Sequence, residues 1–173
     1  MRILNFTPRL AAALLCAACA RPGAARIPTD SFPSNALDDI VGTWQSDTTG
    51  GTSALSSCAW TPRHLAVVCD QRISMPDGTT RAVTNVFASR PDGGYVLYGI
   101  TAPGAPLTPV PLAIENHRWV YGGTAPDDRD VRHRTVNDFT AGDTYVWRAE
   151  SSTDGEHWTA SAHGRSTRVR RTM

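Results

Sequence analysis

Short strand-like segments alternate with tight-turn signals along almost the whole chain after residue 40. Pro-Asp-Gly occurs at residues 76–78 and 91–93, Ala-Gly-Asp at 141–143 and Asp-Gly at 154–155, each between runs rich in β-branched and aromatic residues. Asp and Gly tolerate the positive φ that tight hairpin turns require. No stretch of useful length has the 3.6-residue period of an amphipathic helix. The sequence therefore predicts an all-β protein built from consecutive antiparallel hairpins.

About ten strands follow from these turns and from the runs between them. We expect them at residues 41–47, 54–61, 64–71, 80–89, 94–101, 110–115, 118–122, 131–140, 143–151 and 156–164, with a further short piece at 165–170. A helix is expected only at residues 34–40, where Ser34 or Asn35 can cap the first turn. A meander of this size removes its exposed edges by closing. The predicted fold is an antiparallel up-and-down β-barrel of about 8–10 strands with a short N-terminal helix, and a β-sandwich is the alternative.

Alternation of side-chain character predicts which face of a strand is buried. Tyr145 and Trp147 share one face of their segment, and His117, Trp119 and Tyr121 share one face of theirs. Such strands are buried on one side only, as in an antiparallel sheet around a core. His117 is therefore a candidate contact for a ligand or a haem iron, and the alternative is an ordinary histidine of the core or of the barrel mouth.

Aromatic residues are spread nearly one to a strand, and each ring buries about 150–250 Å². They predict either a packed barrel core or an aromatic-lined cavity for a small apolar or planar ligand, and an eight-stranded or larger barrel allows both. The candidate ligand-binding residues of the interior are Trp60, Phe87, Tyr98, His117, Trp119, Tyr121, Tyr145, Trp147 and Trp158.

The N-terminus has the pattern of an export signal. Residues 1–9 carry two Arg and no acid, and residues 10–20 form an apolar run that is too short to span a bilayer. Two processing routes are open: cleavage before Arg21, or lipidation of Cys19 within a lipobox-like sequence. Residues 21–35 are rich in Pro and predict a linker. Residues 36–173 are expected to form a single barrel domain. An exported domain of this kind is expected at the bacterial cell envelope or outside the cell.

Four Cys residues divide between the signal and the body of the chain. Cys58 and Cys69 remain after export, and the turn signal Thr61-Pro62-Arg63 lies between them. An even pair in an oxidising compartment favours a disulfide across a hairpin, and the alternatives are a redox pair or metal thiolates. Closing a loop of about 12 residues contributes on the order of 3 kcal/mol in the chain-entropy model.

Charge and motifs exclude several functions. All 17 basic residues are Arg, which excludes lysine chemistry, and the formal net charge of +1 falls to about −1 when residues 1–20 are removed. Such a domain is a poor nucleic-acid binder. The sequence has no nucleophile elbow, P-loop or metalloprotease helix motif. We predict a protein that is not an enzyme and holds no cofactor or metal. The alternatives are an enzyme whose site converges only in the folded chain, and Ca²⁺ at the acidic residues 127–130.

A Pro-rich segment and two longer sequence patterns complete the prediction. Residues 101–111 hold four Pro, which is incompatible with a central strand, so we expect a long connection there: a rigid spacer, a lid or a docking loop. Residues 37–44, a short helical segment followed by Gly42-x-Trp44, resemble the opening of lipocalin and other calycin barrels. Residues 134–158, with an aromatic strand, the turn Ser152-x-Asp154-Gly155 and Trp158, resemble a bacterial family of secreted lipocalin-like domains of unknown function.

The resemblance spans roughly residues 36–170 and implies a calycin-type barrel without implying an activity. It also implies that Trp44 packs across a closed barrel floor, with Arg165 or Arg168 stacked on its ring, which is a structural role. From the sequence, the expected function is non-catalytic binding of a small apolar ligand inside the barrel. The alternative is a structural or interaction module with a filled core, tethered to the membrane only through Cys19.

Overall fold

A computed structural model describes residues 35–101, 103, 107–124 and 130–170. The predicted signal with Cys19, nearly all of the predicted linker and most of the acidic segment 127–130 lie outside the described residues. No helix in the described part of the chain has the length and hydropathy needed to cross a membrane.

Ten antiparallel strands form a closed barrel in which each strand pairs with its neighbours in sequence and β1 pairs with β10. Their bounds are β1 Gly42–Thr48, β2 Ser53–Trp60, β3 Ala66–Ser74, β4 Thr80–Ser89, β5 Tyr95–Ile100, β6 Pro109–Glu115, β7 Arg118–Thr124, β8 Arg132–Ala141, β9 Thr144–Ser152 and β10 Thr159–Arg168. The predicted all-β up-and-down barrel is confirmed, and the sandwich alternative is wrong.

Most strand boundaries differ from the sequence prediction by one to four residues, and three of the differences have a structural explanation or consequence. The two pieces expected after residue 156 are one strand, β10. β3 begins at Ala66 because Pro62–His64 form a 3-10 turn in which Arg63 and His64 have positive φ. β6 begins at Pro109 and contains Pro111, so the Pro-rich connection is shorter than expected and two prolines lie within the barrel wall.

A 3-10 helix, Ala36–Ile40, covers one end of the barrel, which we call the closed end. Asn35 caps it: its side chain accepts a hydrogen bond from the Leu37 backbone N–H, and the Asn35 backbone N–H donates to the Asp38 carboxylate. Leu37 and Ile40 point into the barrel and are buried. The indole N–H of Trp44 donates to the Ile40 carbonyl over 2.7 Å, which ties this helix to the start of β1.

Trp44 and Arg168 lie opposite each other on β1 and β10. The Arg168 guanidinium lies 4.2 Å from the Trp44 ring centroid and also donates to the carbonyls of Val41 and Gly142. Gly42 has a φ of +130°, and a Cβ there would collide with the Arg168 guanidinium. The Gly-x-Trp sequence is thus needed because the backbone passes directly against this arginine. Arg165, the other candidate, is exposed.

The hydrophobic core fills the closed half of the barrel. Its buried members are Leu37, Ile40, Trp44, Cys58, Val67, Cys69, Phe87, Leu97, Leu112, Trp119 and Tyr145. Phe139 joins the rings of Trp44, Trp119 and Tyr145, with centroid separations of 6.1, 5.3 and 4.6 Å. The predicted disulfide is confirmed: Cys58 and Cys69 are register partners on β2 and β3 and are bonded.

The register assigns each connection to one end of the barrel. The closed end carries the 3-10 helix and the connections at residues 61–65, 90–94, 116–117 and 142–143. The other end, the open end, carries the connections at residues 49–52, 75–79 and 153–158, and there β5 and β7 end and β6 and β8 begin. The last two prolines of the predicted Pro-rich connection lie in β6, which begins at this end.

Candidate functional site

Polar side chains replace the apolar core on the inner face of the barrel beyond the ring of Trp44. Ser46, Ser56, Asn137 and Ser166 are buried although they are polar. They lie on the inward positions of their strands, since Ser46 follows Trp44 by two residues and Ser166 precedes Arg168 by two. Gln71 Nε2 donates to Ser56 Oγ over 3.1 Å across the β2–β3 pair. The interior thus changes from hydrocarbon to hydrogen-bonding groups along the barrel axis.

A cavity of about 230 Å³, the inner chamber, lies among these polar groups. Its lining residues come from five strands and the first open-end turn: Ser46, Thr48, Thr52, Gln71, Ile73, Tyr121, Thr135, Asn137, Tyr145 and Trp147. The lining offers hydroxyls, amides and rings, and none of these side chains carries a charge at neutral pH. The chamber therefore suits a neutral molecule with hydrogen-bonding groups.

Tyr145 lies where the core and the inner chamber meet. Its hydroxyl hydrogen-bonds with Ser166 and Ser46, which are themselves joined by a 2.5 Å bond between their Oγ atoms. Burial raises the pKa of the Tyr145 phenol, and the two serine bonds oppose that shift. The phenol is therefore neutral at physiological pH and closes the floor of the chamber.

Tyr121 forms the opposite wall of the chamber with Asn137 and Thr135. Burial raises the pKa of Tyr121 to about 12, while hydrogen bonds from Asn137 and Thr135 act in the opposite direction. Asn137 and Thr135 are alternate inward positions of β8, and Tyr121 is the register partner of Thr135. A bound molecule would thus meet a fixed phenol and a fixed amide side by side.

A second cavity of about 640 Å³, the outer pocket, adjoins the inner chamber and shares Tyr121 and Thr135 with it. Leu97, Val110 and Ala149 contribute to it from inward positions. Other parts of its lining belong to the outer face of the wall, namely Pro111, Gly122, Arg134 and Glu150. The two cavities therefore adjoin, and the outer pocket reaches the outer face of the wall.

The structure places the predicted interior residues in three groups. Tyr121, Tyr145 and Trp147 line the inner chamber. Phe87 and Trp119 are packed in the core, with ring centroids 5.4 Å apart. Trp60 is half-buried at the closed end, where its indole N–H donates to Asp38 over 2.8 Å. The aromatic residues therefore divide between a filled half and a hollow half.

Three predicted interior residues are outside the barrel, and the prediction is wrong for them. His117 lies in the tight β6–β7 turn with a φ of 62°, is largely exposed, and contacts Asp39 at 3.0 Å. Tyr98 faces outward because its neighbour Leu97 takes the inward position. Trp158 precedes β10 and stacks on Arg134 on the outer wall, with 3.9 Å between the guanidinium carbon and the ring centroid.

Sequence reasoning missed the polar half of the chamber. Ser46, Gln71, Thr135 and Asn137 have small or amide side chains that also occur on solvated strand faces. The spacing of two residues from an inward aromatic position, as between Trp44 and Ser46, could have identified them as inward-facing. No group of three or more His, Cys, Asp and Glu side chains within the described ranges is placed to hold a metal ion.

Comparisons with known proteins agree with the fold and leave the family open. No family model matches the chain, and no curated protein matches it. The crystal structure of Rv2717c from M. tuberculosis is similar with a TM-score of 0.52 and 15% identity, over 78% of this chain and 96% of that chain. The structure of EF1p2_mFAP2b bound to DFHBI gives a TM-score of 0.37 and 13% identity, over 78% and 97%. The first likeness supports the barrel fold alone, and the second is too low to support a shared fold.

Proposed function

We propose that this barrel binds a small neutral molecule in the inner chamber without transforming it. The observation that carries the proposal is the lining of the chamber, in which Ser46, Gln71, Tyr121 and Asn137 surround an empty space beside the Trp147 ring. Ligand pockets combine apolar and aromatic surface with a few placed polar groups. The ligand class that fits is a compact, planar molecule with an apolar body and hydrogen-bonding edges.

The volume supports binding over a filled barrel. Ligand pockets measure about 300–1,000 Å³, and the chamber of about 230 Å³ adjoins a pocket of about 640 Å³. The alternative of a structural module with a filled core describes the closed half only. The same lining supports a non-catalytic role, because a hydroxyl nucleophile needs an adjacent base and the described residues of the chamber wall provide hydroxyls, amides and rings.

Fluorescence titration with neutral planar probes tests the proposal. Dansylamide and N-phenyl-1-naphthylamine are expected to bind saturably, with a blue-shifted and stronger emission. Thr135→Phe narrows the passage between the chamber and the outer pocket and is expected to weaken binding at least 10-fold. Gln45→Phe adds the same ring at an exposed position of β1 and is expected to leave binding unchanged. Absence of saturable binding by both probes would contradict the proposal.

We further propose that the domain is exported and that Cys19 anchors it to a membrane. The apolar run before Cys19 and the disulfide Cys58–Cys69 support export. Fractionation of cells that express the wild type and Cys19→Ala tests the anchor: the wild type is expected with the membranes and the variant in the soluble exported fraction. A wild type that is soluble would refute lipidation and leave the ligand proposal intact.

A further inference from the structure

The wall of the barrel has an incomplete seam between β6 and β7. Leu112–Glu115 pair with Arg118–Tyr121, whereas the described residues of the next section, 109–111 and 122–124, have no partners across this seam. Residues 109–111 pair only with β5, and 122–124 pair only with β8. The seam is therefore joined toward the closed end and unjoined toward the open end.

Residue types explain why the seam stays open. Pro109 and Pro111 have no backbone N–H, so they cannot donate the ladder bonds that would join the two strands. Gly122 and Gly123, on the facing strand, have no side chain to cover the opening. A Cβ on Gly123 would meet no atom within 4 Å, which shows the space around this position. We call this opening between residues 109–111 and 122–124 the slot.

A groove of about 450 Å³ lies on the outer wall beside the slot. Pro111, Ala113, Val120 and Gly122 give it apolar surface and Trp158 an aromatic wall, and Arg132, His133 and Arg134 also line it. The groove shares Pro111, Gly122 and Gly123 with the outer pocket of the interior. Inner chamber, outer pocket and groove therefore adjoin one another in this order, and the slot lies between the outer pocket and the groove.

Trp158 is held in place although it belongs to no core cluster. Its indole N–H donates to the Gly155 carbonyl over 3.2 Å, and its ring lies on the Arg134 guanidinium. Arg134 in turn is fixed by Glu150, with 2.5 Å between Nε and Oε2. A half-buried tryptophan ring that is fixed in this way can cover an apolar chain without further ordering, which lowers the entropic cost of binding.

We infer that the ligand is elongated, with a compact head in the inner chamber and an apolar chain that passes through the slot and lies in the outer groove beside Trp158. This inference rests on the proposed function, because the chain extends from a head bound in the chamber. The chemistry of the two sites indicates the occupant: the chamber has hydrogen-bonding groups, whereas most of the residues that line the groove are apolar, aromatic or glycine. The molecule is thus a neutral amphiphile, such as a planar head with an alkyl tail.

Two probes with the same fluorophore test the inference. Dansylamide supplies the head alone, and N-undecyldansylamide adds a neutral chain. In the wild type the chain is expected to raise affinity at least 10-fold. Trp158→Ala is expected to remove most of this gain and to leave the affinity for dansylamide within 2-fold. Trp158→Phe keeps an aromatic wall and is expected to restore most of the gain.

A matched control separates the groove from other apolar surface. Leu55 is exposed on the outer face of β2, beside a different surface groove, and Leu55→Ala is expected to leave the chain-dependent gain unchanged. Two results would contradict a chain bound in the groove and leave the chamber proposal standing. One is the same chain-dependent gain in affinity for the wild type and Trp158→Ala, and the other is a loss of that gain in Leu55→Ala equal to the loss in Trp158→Ala. Failure of dansylamide itself to bind the wild type would overturn the proposed function and this inference with it.

Discussion

The closed and open halves of the barrel are stabilised in different ways. In the closed half, the rings of Trp44, Trp119, Phe139 and Tyr145 contact one another beneath the 3-10 helix, and Trp44 and Trp119 are fully buried. In the open half, the interior is polar and contains the inner chamber and the outer pocket. Stability and binding capacity are therefore divided along the barrel axis, so that one half can be hollow because the other is filled.

The wall of the open half is reinforced from outside. Glu150, on the outer face of β9, receives bonds from Arg134 and Arg148 at 2.5 and 2.6 Å, and Arg148 also contacts Asp138 at 2.8 Å. Burial by itself would raise the pKa of Glu150, but the bonds from Arg134 and Arg148 outweigh it and lower that pKa. Charge pairs between β8 and β9 thus hold a section of wall that has little core behind it.

The largest expected difference in stability is between two variants in which a tryptophan is replaced by alanine, one in each half. Trp44→Ala opens a cavity in the filled core and is expected to cost about 3–5 kcal/mol of unfolding free energy. Trp147→Ala removes a half-buried ring that borders an existing cavity, so we expect less than half that cost. Denaturant unfolding of both variants measures the comparison. Equal losses would show that the two halves are equally packed.

The disulfide is a second contribution from the closed half. Cys58 and Cys69, 11 residues apart in sequence, are both buried. Replacing both with Ala is expected to cost about 3 kcal/mol, because the unfolded chain regains the freedom of a short loop. The neighbouring outward pair, Ser57→Ala with Asp70→Asn, serves as control and is expected to change stability by less than about 0.5 kcal/mol. A similar loss in both pairs would contradict the assignment.

The charge network is expected to contribute less, and in a pH-dependent way. Glu150→Gln is expected to cost about 1–2 kcal/mol at neutral pH, because two guanidinium groups lose a charged acceptor. Since the folded state lowers the pKa of Glu150, its contribution is complete above the ordinary carboxyl pKa and is lost as pH falls through the folded value. Chemical unfolding between pH 7 and 3 should therefore bring wild type and variant together. Glu156→Gln, at an exposed position, should leave the wild-type pH profile unchanged.

The smallest expected effect lies at the boundary between the halves. Ser166→Ala removes a fully buried hydroxyl that bonds Ser46 and Tyr145. We expect a loss of about 1 kcal/mol, the usual net contribution of one hydrogen bond. The adjacent outward residue is exposed, and Thr167→Ala is expected to be neutral. Thermal unfolding of the two variants is the measurement, and equal melting temperatures would show that the serine bond adds nothing.

The strand pattern and the disulfide were predictable because they depend on local signals. Asp-Gly turns and β-branched runs identified ten strands, and the spacing of Cys58 and Cys69 around a turn placed them on one hairpin. Tyr98 was not predictable in the same way. Both faces of β5 are apolar or aromatic, with Tyr95 and Leu97 on one and Val96 and Tyr98 on the other, so alternation could not choose between them.

Two further residues were misplaced because strand ends are set by turns. Asn116 and His117 adopt positive φ and form the β6–β7 turn, which removes His117 from the face of Trp119. A register shift between Ala160 and Ala162 breaks the two-residue period of β10, and Trp158 lies before that strand begins. One residue of displacement moves a side chain to the other face of a sheet.

The sequence by itself determined that this chain is a run of antiparallel hairpins with one cross-strand disulfide, because turn chemistry and two-residue periodicity act over a few neighbouring residues. Only the tertiary structure decided where the barrel is filled and where it is hollow. The inner chamber gathers Ser46, Gln71, Tyr121 and Asn137 from four strands, and the slot depends on which residues of β6 and β7 lack partners. Both depend on register and closure, which bring together residues that are far apart in sequence and carry no local signal of their meeting.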